Sequence, residues 1–127
     1  MRIVIKKQER LKIEVAAEDK KGLEAEVSMH FGRCPYYVIL EKDDGKIKEP
    51  AAVIENPYAR VHGPPGQVPS FLTHYEIQAI MAGGMGPRAV RMFIRYGIKV
   101  VTEAHGKVKE AVTSFLRGDL TGSEPCH

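Results

Sequence analysis

With 127 residues, 43% of them hydrophobic and 28% charged, the chain has the size and composition of one globular domain rather than of a disordered segment. Its formal charge of +3, from 19 basic against 16 acidic residues, is too slight for a nucleic-acid footprint, and its apolar runs fall far short of the roughly 18 residues that suggest a membrane span. Two cysteines and an N-terminus without an apolar signal segment predict a cytoplasmic, reducing setting, where thiols act as ligands or core residues rather than as staples.

Residues 1–10 carry one short apolar run, Ile3-Val4-Ile5, and read as an extension or an added edge strand. Alternation starts at Leu11. Leu11, Ile13 and Val15 face one way and Lys12 and Glu14 the other, the period of a strand. After the break at Glu18 to Lys21 comes a long loop ending in His30 to Pro35. Tyr36 to Glu41 is the second predicted strand, and Asp43-Asp44-Gly45-Lys46 has the chemistry of a hairpin turn. The third strand, Ile47 to Glu55, contains Pro50, and a residue that cannot donate to the ladder belongs at a sheet edge.

Asn56-Pro57 ends that strand, and a loop with His62-Gly63-Pro64-Pro65-Gly66 leads to a change of period. Val68, Phe71, Leu72 and Tyr75 stand at helical spacing. Ile77 to Ala82 is the fourth strand, and Gly83-Gly84-Met85-Gly86-Pro87 opens a second helix with proline at a first-turn position. Val90, Phe93 and Ile94 are its expected buried stripe, Arg88, Arg91 and Arg95 its solvated one, and Gly97 its C-terminal cap. Ile98 to Thr102 is the fifth strand; Val108, Ala111, Val112, Phe115 and Leu116 mark a third helix ended by Gly118, before a short tail at 121–127. The order βββαβαβα, over one domain at 11–120, is that of a three-layer α/β fold.

Hairpins make the first three strands antiparallel neighbours, and right-handed crossovers make the fourth and fifth parallel to the first. The loops after strands one, three, four and five then leave the sheet at one end, the end where open α/β sheets bind ligands. That rim collects His30, Arg33, Cys34, His62, the Gly83–Gly86 loop and His105. Imidazole and thiolate suit iron and similar metals, and Arg33 beside Cys34 is expected to favour the thiolate. Each element has a plainer reading as well: Cys34 as a packed small hydrophobe, the histidines as hydrogen-bonding or solvated groups, the glycines as a tight strand-to-helix turn. Cys126 and His127 leave at the opposite end of the sheet.

His30-Phe31-Gly32-Arg33-Cys34-Pro35-Tyr36-Tyr37, the Asn56-Pro57 and His62-Gly63 loop, Ala82-Gly83-Gly84-Met85-Gly86-Pro87-Arg88-Ala89 and Phe115-Leu116-Arg117-Gly118 together resemble the dinitrogenase iron–molybdenum cofactor biosynthesis family. The resemblance implies a ribonuclease H-like fold with a mixed five-stranded sheet ordered 3-2-1-4-5, which also puts Pro50 on an edge strand. It implies a binding or carrier protein, not an enzyme, for an iron–sulfur or iron–molybdenum type cluster or its precursor, with cluster-donor and acceptor proteins as partners. Taken with the rim, it makes His30, Phe31, Gly32, Arg33, Gly83, Gly84, Met85 and Gly86 the expected cofactor-binding residues, and Cys34, His30, His62 and His105 the expected metal ligands.

Two other functions are open. A metal-dependent hydrolase on the same fold needs several convergent carboxylates, whereas only Glu18 and Glu103 are placed near the rim. A small-anion or nucleotide sensor would use the glycine loop and Arg33.

Overall fold

A computed structural model of the protein describes residues 10–43, 46–57 and 77–118. The alternating stretch becomes β1 (Arg10–Ala17), followed by a 3-10 turn at Gly22–Glu24, then β2 (Tyr36–Asp43) and β3 (Lys46–Glu55). β4 (Ala79–Met81), α1 (Pro87–Arg95), β5 (Lys99–Val101) and α2 (Val108–Leu116) complete the described elements. The sequence-predicted helix around Val68 to Tyr75, His62, and the tail with Cys126 and His127 lie outside the described residues.

The sheet has five strands in the order β3-β2-β1-β4-β5. β1 is antiparallel to β2 and β2 to β3, while β1, β4 and β5 run parallel. The expected mixed, three-layer topology is therefore the one observed. β3 is an edge strand, and the pairing shifts register between Ile39/Ala52 and Glu41/Lys48, the stretch that contains Pro50. A proline removes one donor from the ladder, and a bulge on an edge is where that loss is tolerated.

β1 is central, so both its faces are buried. Ile13, Val15 and Ala17 pack with Val38, Leu40, Met81 and Val101 against Val108, Ala111 and Val112 of α2. Ala16 lies on the other face, where Tyr37, Ile80 and Val100 meet Val90 and Phe93 of α1. Fully burying a side chain such as Phe93 contributes roughly 1.5–3 kcal/mol. Glu14, which alternation set on the face of β1 opposite Ile13 and Val15, is wholly buried, because the sheet's second face is covered as well. One expectation fails here. Ile94, read as part of the buried stripe of α1, is 38% exposed, since Val90 and Phe93, with Ala89 partly buried beside them, take up that helix's inward face.

Helix ends follow the sequence. Pro87 begins α1, and Gly97 at φ +83 closes it, with the Gly97 amide donating to Ile94 and the Ile98 amide to Phe93. That paired arrangement satisfies carbonyls the last turn would leave open, and it needs a residue at ease in the left-handed region. The same reversal turns the chain directly into β5.

Candidate functional site

Three of the loops that strand parity sends to one end of the sheet are joined by backbone hydrogen bonds. From the loop after β1, Ser28 accepts from the Gly83 amide (2.8 Å), and the Phe31 amide donates to Gly84 (3.1 Å). Gly83 in turn accepts from the Glu103 amide (3.0 Å), and Gly106 accepts from the Val27 amide (2.8 Å). The segments around 28–35, 82–86 and 102–107 thus form one continuous rim. Its fourth expected contributor, His62, falls outside the described residues.

The glycines divide into two kinds. A Cβ on Gly83 would stand 2.9 Å from the Met29 Cα and 3.2 Å from the Ser28 carbonyl oxygen, and one on Gly84 would stand 2.9 Å from the Met29 carbonyl oxygen. Those contacts are with backbone, which cannot swing aside, so both glycines exist to let two loops touch. Gly32 and Gly86 have no neighbour within 4 Å of such a Cβ and lie against open space. Gly86 is the N-cap of α1, and no side chain caps it. The first amides of a helix have no acceptor within the helix, and with no acidic residue in its first turn the positive end of α1 is left to the rim.

Around this framework His30, Arg33 and His105 are exposed. His30 is fixed through its backbone: its amide donates to Ser28 Oγ (3.2 Å), whose hydroxyl lies 3.3 Å from the His30 carbonyl oxygen. Met29, 58% exposed, lays its thioether beside Gly83, and Met85 packs partly onto the core. Glu103, in the third loop, is a non-glycine residue at φ +66.

Two expected site residues turn inward instead. The Phe31 ring is buried, edge-on to Phe93 at 5.3 Å and tilted against Tyr37 at 5.7 Å, so its side chain anchors the loop rather than meeting a ligand. Cys34 is fully buried in the same cluster, its Sγ 3.3 Å from the Phe31 carbonyl oxygen and 3.2 Å from that of Tyr36. Burial pushes its thiol up to about 12, with hydrogen bonding to Tyr37 a smaller, opposing effect. The expectation that Arg33 would favour a thiolate is thereby corrected: in an apolar pocket desolvation outweighs a neighbouring exposed cation.

Tyr37 and Asn56, which belong to the motifs that carry the resemblance but were not expected as site residues, hold this loop in place. The Tyr37 hydroxyl donates to the Phe31 carbonyl (2.6 Å), and burial raises its pKa well above the phenolic norm. The Asn56 side-chain amide reaches the carbonyl oxygens of Cys34 (2.8 Å) and Gly32 (3.2 Å), and its backbone amide donates to Pro35 (2.9 Å). An asparagine beside a proline, just past a strand, was the available signal. Among the described residues no three His, Cys, Asp or Glu side chains converge to enclose a metal ion, and no helix is long and apolar enough to cross a membrane.

This chain is similar to an uncharacterized protein of Methanocaldococcus jannaschii, 30% identical over 94 residues that make up 74% of this chain and 80% of that one. Its fold is similar to that of the orange protein of Desulfovibrio gigas, solved in its apo form, with a TM-score of 0.75 and 27% identity over 88% of this chain and 92% of that one. A candidate NifB protein of Thermotoga, assigned to the DUF35 family, superposes with a TM-score of 0.71 at 27% identity, over 88% and 92% of the two chains. The family model described as dinitrogenase iron-molybdenum cofactor matches residues 11–118, from β1 through the end of α2. The chain belongs to the dinitrogenase iron–molybdenum cofactor family.

Proposed function

We propose that this protein binds and carries an iron–sulfur or iron–molybdenum type cluster, or its precursor, at the rim formed by residues 28–35, 82–86 and 102–107, without itself catalysing a reaction. The observation that carries the reading is the joining of the His30 loop to the Gly83–Gly86 loop, which sets an exposed imidazole, an exposed guanidinium and the uncapped end of α1 around one rim. Such a surface suits an anionic cargo and holds it from one side, as release to an acceptor requires. His30 is the first protein ligand, with His105 and His62 as further contributors. Arg33, Gly32, Met85 and Gly86 line the site, and Gly83 and Gly84 shape it. Cys34 and Phe31 support the loop from beneath. The family's link to the iron–molybdenum cofactor makes nitrogenase cofactor assembly the proposed context, with cluster-donor and acceptor proteins as partners in the cytoplasm.

The test is anaerobic reconstitution of untagged protein with iron and sulfide, with and without molybdate, followed by metal analysis and visible absorbance. The parent and Cys34→Ala should load alike per folded molecule, and His30→Ala/Arg33→Ala should load poorly. Full loading of that double variant would overturn the assignment. A thermal shift with simple oxyanions but no cluster loading would favour the small-anion sensor instead.

A further inference from the structure

The outer face of α1 carries a feature that cluster binding does not use. Arg88, Arg91 and Arg95 stand at i, i+3 and i+7 along this nine-residue helix, and all three are exposed. The helix contains no acidic residue, and among the described residues none of the three guanidiniums has an ion-pair partner. Like charges three or four positions apart destabilise a helix, and a cation in the first turn opposes the helix dipole. Arg88 and Arg91 therefore work against the stability of the element that bears them. Ile94, on one flank of the stripe, is 38% exposed, and Tyr96, on the other flank just past the end of the helix, is 45% exposed. Guanidinium groups flanked by an exposed aliphatic and an aromatic side chain match the composition enriched at protein interfaces.

We propose that this face of α1 is a docking surface for a partner protein whose contact patch is acidic with apolar margins. Charge complementarity selects an acidic partner, and the exposed Ile94 and Tyr96 beside the stripe select a protein over nucleic acid, which would be met by a broader basic face. Because α1 starts at Gly86, such a partner would lie beside the rim; that further point rests on the proposed cargo site, whereas the docking does not.

The probe is a fluorescent, helical peptide with glutamates at i, i+3 and i+7 and a leucine on the flank of that stripe, followed by anisotropy at low and physiological salt. The comparison arms are the same peptide with lysine for glutamate, a duplex oligonucleotide, and phosphatidylserine-containing vesicles. Binding of the acidic peptide should weaken with salt and fall about tenfold in Arg88→Gln/Arg91→Gln, while that variant melts no lower than the parent because the like-charge pairs and the first-turn cation are removed. Equal binding by parent and variant, equal binding of the lysine peptide, or tighter binding of the oligonucleotide or the vesicles would each overturn the proposal. None of these readouts needs a cluster, so failure of the cargo site and failure of the docking surface remain distinguishable.

Discussion

Glu14 should make the stability of this protein fall with rising pH across the neutral range. Its side chain is fully buried on the central strand, level with Ile39 of β2 and Ile80 of β4, and among the described residues neither carboxyl oxygen has a hydrogen-bond partner. Burial raises its pKa from 4.5 to about 9, with the charge of Lys12 a smaller, opposing influence. The folded state keeps a proton that the unfolded chain gives up above 4.5, so the contribution is fully present below that pH, declines as pH rises, and is gone above about 9. The slope is about 1.4 kcal/mol per pH unit, which makes about 4 kcal/mol between pH 5 and pH 8, a large share of the roughly 5–15 kcal/mol that holds a domain folded. Urea unfolding of the parent and of Glu14→Gln at several pH values isolates this effect, because every other titrating group is common to both. The difference between the two curves should grow in favour of the variant as pH rises. Parallel curves would show that Glu14 is not held neutral in the fold, and would refute the argument from burial.

Three further outcomes follow from the packing of the rim. In a Cys126→Ser background, the Cys34 thiol should resist iodoacetamide at pH 8 until the protein is unfolded, and Cys34→Ala should cost about 1–2 kcal/mol on urea unfolding; rapid labelling of the native protein would contradict its burial. Gly83→Ala should destabilise by about 1–3 kcal/mol, since the added carbon meets the Met29 backbone, whereas Gly86→Ala, at φ −65 in open space, should change stability by no more than about 0.5 kcal/mol, the stiffer unfolded chain offsetting the loss of a favoured N-cap residue; equal melting temperatures for the two would remove the distinction between them. Glu103→Asn should raise stability by about 0.5–1 kcal/mol, because asparagine tolerates the left-handed backbone that glutamate holds at φ +66; a fall in melting temperature would point to a contact of the Glu103 side chain.

The roles of the two glycine positions bear on how the site is read. A glycine-rich turn before a helix suggests anion binding, yet Gly83 and Gly84 are accounted for by loop contact alone, and only Gly86 and Gly32 leave space for a ligand. A substitution at Gly84 therefore tests folding first, and binding is better probed through His30 and Arg33, whose side chains are exposed.

What the sequence determined by itself was the order of the elements and the end of the sheet at which their loops meet. Alternation in β1, a proline that could only be tolerated at an edge, and a glycine placed to reverse the chain after α1 are local constraints, each imposed by backbone geometry within a few residues. Parity of the strands then brought the His30, Gly83 and His105 loops together without any knowledge of packing. Burial was decided only by the tertiary structure, because it depends on what covers a residue from elsewhere in the chain. Alternation set Glu14 opposite the apolar residues of β1 but could not say that this face is covered too, Ile94 looked buried until Val90 and Phe93 filled the inward face of its helix, and Cys34 could be read as a ligand or as a packed residue until Phe31, Tyr37 and Phe93 closed over its loop. A thiol and an imidazole four residues apart read alike in sequence; desolvation, which acts only once the core exists, made one of them part of that core and left the other at the rim.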